Sequence, residues 1–309
     1  MENLIAVARQ VAVLFALMGV GAISRWTRLV GEEAMDGIVG LLVMVVTPCV
    51  IVTSFMRPFD ASMAGGLAVA FAVAMLAMCV AIFASRFLVR HPSDDTRCVL
   101  RTAVVFSNAG FMGIPLEQAI LGGDGVFYGS AYIVAFNLVI WTWGVWTMRG
   151  RGGKGDLKTV FVNPGTVGVA VGLPLFLFSV EVPAVLSRPL VHLADLNTPL
   201  AMIVIGHSLA GAKIGRVLSS GAVHIAAFAR LVAFPLLVIA ALMPLRGRVP
   251  REMLLAVAIA ASAPVAAMVS MFAVRFRRDV DTAAALVSGT TLASVVTMPP
   301  VIALAMKLL

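Results

Sequence analysis

The segment Asn108-Ala-Gly-Phe-Met-Gly-Ile-Pro115 places one amide, two glycines and a proline inside an apolar stretch. An asparagine amide donates and accepts, so it suits a carboxylate or a freed backbone carbonyl. Proline removes a donor and clashes with the preceding turn, while glycine loosens the backbone. The surrounding run, about 99–121, is long enough to span a membrane. Hydrocarbon tolerates broken backbone only where protein or water satisfies it, so an interrupted span points to a substrate or ion site. A second interruption, Ser262-Ala263-Pro264, sits in another apolar run. Asn108, Gly110, Gly113 and Pro115 are therefore candidate binding residues, with Ala263 and Pro264 facing them. Each half-helix that starts at a break presents open N–H groups and partial positive charge, which favours an anion such as a carboxylate.

Other polar residues at membrane depth extend the candidate set. Asn137 lines the cavity or joins two helices. Glu117 and Asp195 are candidates for coupling a proton or Na⁺. Their alternatives are a place near the interface or a pair with Arg230, the one arginine deep in its span. Asn108 itself serves the substrate or caps the broken helix. Thr47 and Thr198, each followed by proline, are expected to bond back to their own helices. His207 is read as packed. No arginine is expected near the two breaks, so amides and helix dipoles would carry the anion's charge.

These residues must be positioned by helices in a bilayer. Of 309 residues, 61% are hydrophobic and 12% charged, about half the charge of a soluble protein. Ten apolar runs of roughly 20 residues follow one another: about 3–24, 37–55, 62–88, 99–121, 125–148, 164–180, 185–210, 220–244, 252–274 and 282–306. The remaining loops are too short for a soluble catalytic module. The net charge of +8 is no nucleic-acid signature, because the basic residues gather in alternate loops. Arg86, Arg90, Arg97 and Arg101 follow span 3. Arg149, Arg151, Lys154 and Lys158 follow span 5. Arg275, Arg277 and Arg278 follow span 9, and the loops after spans 1 and 7 add Arg25, Arg28, Lys213 and Arg216. Odd loops then face the cytoplasm and both termini face out, against which Arg9 and the arginines after span 8 weigh. Cys49, Cys79 and Cys98 read as packing residues, and the N-terminal run as a retained span. The sequence carries no nucleophile elbow, phosphate loop or zinc motif, and its four histidines lack ligand spacing. No enzyme, metal or cofactor is expected.

The two halves resemble each other. Thr47-Pro48 and Thr198-Pro199 stand 151 positions apart, and the interval from each Thr-Pro to the proline of the next broken span is 67 and 65 residues. Five spans is an odd number, so the second copy would enter the membrane from the opposite face. The expected fold is all-α: two inverted five-helix repeats, 1–150 and 151–309, with spans 4 and 9 broken and crossing near the midplane.

Asn108 to Pro115 resembles the span-4 motif of the auxin efflux carrier family of permeases. Asn163-Pro164, Asn197-Thr-Pro-Leu through Ile205-Gly-His-Ser-Leu-Ala210, and Thr291 to Pro299 are similar to later family segments in the same order. The resemblance implies a transporter whose spans 1, 2, 6 and 7 form a scaffold, often a homodimer interface, while spans 3–5 and 8–10 move as an elevator. It places Asn108 at the crossover, Pro115 and Pro264 nearest its crossover prolines, and Asn137 at the substrate. Thr142 falls where plant members carry an aromatic residue, and span 9 has no asparagine. Both departures favour a small aliphatic carboxylate over auxin. The expected protein is a bacterial-type inner-membrane carrier of small organic anions. The rivals are a Na⁺- or H⁺-coupled symporter of the bile-acid-carrier type and a membrane sensor that does not transport.

Overall fold

The structure is a computed structural model that describes residues 2–149, 163–211 and 220–309, with side chains from residue 12 onward. Arg151, Lys154, Lys158, Lys213 and Arg216 of the expected basic loops, and the side chain of Arg9, lie outside the described residues. The chain is helical: α1 (Glu2–Trp26), α2 (Glu32–Phe55), α3 (Ala61–Leu88), α4 (Asp94–Val105), α5 (Ala109–Arg149), α6 (Pro164–Leu177), α7 (Ala184–Ala210), α8 (Gly221–Leu245), α9 (Arg251–Ser262), α10 (Met268–Arg275) and α11 (Val280–Leu308).

Six of these, α2, α3, α5, α7, α8 and α11, are long and apolar enough to cross a membrane by length and composition. Ten full-length spans were expected. Part of the difference is geometric, because breaking a span leaves pieces too short to cross; α6, at 14 residues, is short without a break, and α1 is counted only over Ala12–Trp26. The 12 residues of α4 or of α9 cover roughly 18 Å of a hydrocarbon layer about 30 Å thick. Conversely, α5 runs through two of the expected spans. Gly122 separates them, at φ 65° and ψ −149°, a conformation that glycine adopts without a Cβ penalty.

Helix starts follow the sequence signals. Asp60, Ser93, Asn163 and Asp279 each accept the N–H three residues ahead: Met63, Thr96, Thr166 and Thr282. Pro164 then sits in the first turn, where its missing donor costs nothing. Three prolines inside longer helices act differently. Pro48, Pro115 and Pro235 each follow a five-residue π-helical turn: Leu42–Val46, Ala109–Gly113 and Ala229–Ala233. The wider turn relieves the clash of the proline ring with the preceding carbonyl. The Thr47 hydroxyl bonds to the Leu42 carbonyl at 2.9 Å, the back-bonding expected of it.

Glycines bring the helices together. A Cβ on Gly206 of α7 would lie 1.8 Å from the Met18 carbonyl oxygen of α1, and one on Gly21 would lie 2.1 Å from that of Ile203. Gly168 and Gly172 of α6 meet Pro48, Ile51 and Phe55 of α2 in the same way. Without a hydrophobic drive between helices in lipid, such close backbone contact is what holds them. α1 thus packs on α7 and α2 on α6, while α3, α5 and α9 pack together elsewhere.

Candidate functional site

The gap between α4 and α5 meets the gap between α9 and α10. Asn108 N–H donates to the Pro264 carbonyl at 2.7 Å, and Ala266 N–H donates to the Phe106 carbonyl at 3.0 Å. Ser107 and Val265 are thereby paired as an isolated antiparallel bridge. Two unwound segments satisfy each other, which is how helix breaks survive away from water. Each bridge residue has one outside partner. The Ser107 hydroxyl lies 3.1 Å from the Tyr132 hydroxyl of α5, and Val265 N–H donates to Thr290 Oγ1 of α11 at 3.1 Å.

The helix ends at this bridge are handled unequally. Arg230, only 2% exposed, reaches it from the π-helical turn of α8. It donates to the Val104 and Val105 carbonyls at 3.3 and 3.2 Å and also to the Ala261 carbonyl. These oxygens belong to the last turns of α4 and α9, where helix carbonyls have no partner of their own and carry partial negative charge. One guanidinium therefore caps both helices. This corrects two expectations: an arginine does stand at the crossing, and Arg230 pairs with carbonyls rather than with Glu117 or Asp195. Its cue in the sequence was a lone arginine in an apolar run; its targets, being backbone, left no trace.

The starting ends are left open. Asn108 is the residue before α5, and its side chain makes no capping bond, which sets aside the capping alternative. Its carbonyl accepts from Met112 and Gly113, while the earliest N–H groups of α5, at Ala109 and Gly110, lack intrahelical partners by geometry. A Cβ on Gly110 would meet nothing within 4 Å, so this backbone borders open space. Close by, Met112 and Leu116 of α5 line a small apolar cleft with Leu14, Phe15 and Met18 of α1, Met202 of α7, and Ser294, Met298 and Pro299 of α11.

The other expected residues scatter. Ala263 and Pro264 lie in the α9–α10 gap, with Pro264 in the bridge itself. Gly113 is the close-approach point to α9, 3.5 Å from the Ala260 Cα for an added Cβ. Pro115 is not in the bridge but in the first turn of the regular helix beyond the π turn. The break in span 4, expected across Ser107 to Pro115, is confined to 106–108. Asn137 faces the start of α6, where a Cβ on Gly165 would stand 3.5 Å from its Nδ2, a helix-joining place. The Thr142 hydroxyl is spent on the Leu138 carbonyl at 2.5 Å. Asp195 is exposed at the kink of α7, whose first part packs on α2 and on the remainder of α7, away from the bridge. Glu117 is 1% exposed, one turn past the π segment.

A helical chain with several membrane-crossing helices and paired helix breaks has the make-up of a multi-pass membrane transporter. A family model described as membrane transport protein matches residues 6–302, and the chain belongs to that family, the auxin efflux carrier family. Among curated proteins, none matches it.

Proposed function

We propose that this protein is a secondary carrier for small organic anions, carboxylates in particular, working by elevator-type alternating access. The observation that carries the proposal is the Ser107–Val265 bridge, with the unspent Asn108 amide and open α5 N–H groups beside it. Donors aimed at an unfilled space suit an oxyanion. Arg230 adds to this by neutralising the opposing carbonyl ends, so the crossing is left net positive. The apolar cleft next to Met112 would take the substrate's carbon skeleton.

The repeat proposal has its own support. Ser107 and Tyr132 are 25 residues apart, and so are Val265 and Thr290. Each bridge residue is therefore braced from 25 residues further along the chain, with an offset of 158 residues between halves. An antiparallel bridge also has a local two-fold axis, the symmetry of an inverted repeat. The ten spans of this plan would be α1, α2, α3, α4 with the first limb of α5, the second limb of α5, α6, α7, α8, α9 with α10, and α11. The glycine-mediated α1–α7 and α2–α6 contacts suit the fixed scaffold, within a homodimer. The remaining helices suit the moving unit, in a bacterial-type inner membrane with both termini outside.

The test is flux in liposomes containing purified protein, driven by malonate, lactate, succinate or indole acetate with and without Na⁺. Saturable counterflow of one aliphatic acid, lost in Asn108→Ala, is the expected result. Absence of counterflow for every acid overturns the proposal in favour of a membrane sensor, and an absolute Na⁺ requirement favours the bile-acid-carrier type.

A further inference from the structure

Glu117 stands where a carboxylate is costly and no cation offsets it. Its residue is 1% exposed, and Oε2 has no hydrogen-bond partner. It forms none of the ion pairs among the described residues. The surrounding chain has made room for it with glycines. A Cβ on Gly129 would lie 1.8 Å from Oε2, one on Gly125 would lie 2.7 Å from the Glu117 carbonyl oxygen, and one on Gly113 would lie 3.7 Å from Oε1. The carboxyl thus fills a fitted pocket where α5 folds back on itself at Gly122 and packs against α9.

The charged and titratable groups on the elements around it are these. On α5 they are Asp124, Tyr128, Tyr132 and, at its end, Arg149. On α9 they are Arg251 and Glu252, at its far end. Asp60 and Arg86 flank or end α3. α2 brings Glu32, Glu33 and Asp36, with Arg57 just past its end. α7 brings Arg188, His192, Asp195 and His207, and α1 brings Arg25. Several of them are engaged elsewhere: Arg57 with Asp124, Arg25 with Glu32 and His207, Arg251 with the Met306 carbonyl, and Tyr132 with Ser107. Arg230, at the crossing, directs its two terminal nitrogens to the α4 and α9 carbonyls. A buried carboxyl with no counter-ion is neutralised by taking up a proton. The surroundings offer no cluster of acidic, histidine or cysteine side chains, among the described residues, that could hold a metal ion in its place.

We infer that Glu117 is a proton-binding site in the moving unit, close to the anion site, and that the ion coupled to transport is H⁺. The carboxylate takes a proton from water on one side, forming an O–H bond at Oε2, crosses as a neutral acid, and returns the proton to water on the other. The coupling rests on the carrier proposal above; the proton site does not.

Two measurements separate them. Infrared difference spectra of the whole protein in lipid, comparing wild type with Glu117→Gln, are expected to show a protonated-carboxyl C=O band near neutral pH that the glutamine removes. Glu117 is the one fully buried acid among the described residues, so an unchanged band, or no such band in wild type, overturns the site. Gly129→Ala, which forces the carboxyl to shift, is expected to move that band while the protein still folds. In liposomes with a trapped pH dye, wild type is expected to move protons with malonate, lactate or succinate. Glu117→Gln is expected to keep anion counterflow with at least a tenfold loss of proton movement. Equal proton movement in both overturns the coupling. A band lost in Glu117→Gln, with no anion flux in wild type, supports the proton site and sinks the carrier proposal instead.

Discussion

Arg230 donates to the carbonyl oxygen of Val105 across 3.2 Å, so a side chain from α8 closes the end of α4. The same guanidinium closes α9 at Ala261. Position 72, which the 158-residue offset would make its counterpart, is an alanine. A single cation therefore serves both helix ends at the crossing, and the proposed repeat supplies no second one.

Removing it leaves three carbonyls unsatisfied in a dry place. Hydrogen bonds from a charged donor contribute about 1.5–3 kcal/mol each, so Arg230→Ala is expected to destabilise by on the order of 3 kcal/mol or more. Arg230→Lys keeps the charge but not the planar fork, and is expected to recover less than about half of that loss. Thermal unfolding in detergent checks both. Lysine as stable as arginine would mean that charge alone matters and that the two-helix cap does not.

Asn108 is expected to behave in the opposite way. Its amide makes no capping bond, so Asn108→Ala should change stability by no more than about 0.5 kcal/mol. Anion affinity should fall by about tenfold, the value of one hydrogen bond to a charged group. Asn108→Asp should lower it further, because a carboxylate there repels the substrate. Substrate-induced shifts of unfolding temperature measure the affinity. A variant that binds normally, or that unfolds, removes Asn108 from the site.

How much of this was legible depended on where each feature is written. The caps at Ser93, Asn163 and Asp279 could be read because capping is local. The two breaks could be read because asparagine, glycine and proline are locally disruptive. Their extent could not. Phe106 and Ser107 have no breaker chemistry, and they unwind where Ala266 N–H donates to the Phe106 carbonyl and Asn108 N–H donates to the Pro264 carbonyl, on either side of Ser107. Pro115 was misleading, since a proline in a helix marks a gap or a π turn, and the neighbouring contacts decide which. The common spacing of 25 residues to Tyr132 and Thr290 acquires meaning only once Ser107 and Val265 are known to be partners. Arg230 was visible as a misplaced charge, but a carbonyl partner has no letter in the sequence.

The α1–α7 contact gives a prediction about helix packing. A methyl group on Gly206 would sit 1.8 Å from the Met18 carbonyl oxygen, and both sides of that clash are backbone. No rotamer relieves it, so the helices must separate. Gly206→Ala is expected to cost roughly 3 kcal/mol, at the upper end of overpacking effects. Gly19→Ala, one residue type and one helix face away, meets nothing within 4 Å and is the control. Comparable unfolding temperatures for the two variants would show that α1 and α7 do not approach this closely.

The junction of α4 and α11 gives the last prediction, and it concerns pH. Asp279 lies in the loop before α11. One oxygen accepts the Thr282 N–H at 3.0 Å, and the other accepts the hydroxyls of Thr96 at 2.6 Å and Thr282 at 2.7 Å. Partial burial works against the charged form, but the Thr96 and Thr282 bonds outweigh it and hold the carboxyl below its ordinary value of 3.8. A group whose folded value is depressed binds its proton more readily in the unfolded chain. Its stabilising contribution is therefore complete above the ordinary value and fades as pH falls through the lower, folded one. Asp279→Asn weakens the cap and the tie to α4, and should cost about 1 kcal/mol near neutral pH. The gap between the variant and wild type should narrow as the medium is taken down to about pH 3, because wild type alone loses this contribution there. Paired unfolding curves at the two pH values measure it. A gap that stays constant would mean that Asp279 acts by packing, and one that widens in acid would reverse the sign of the argument.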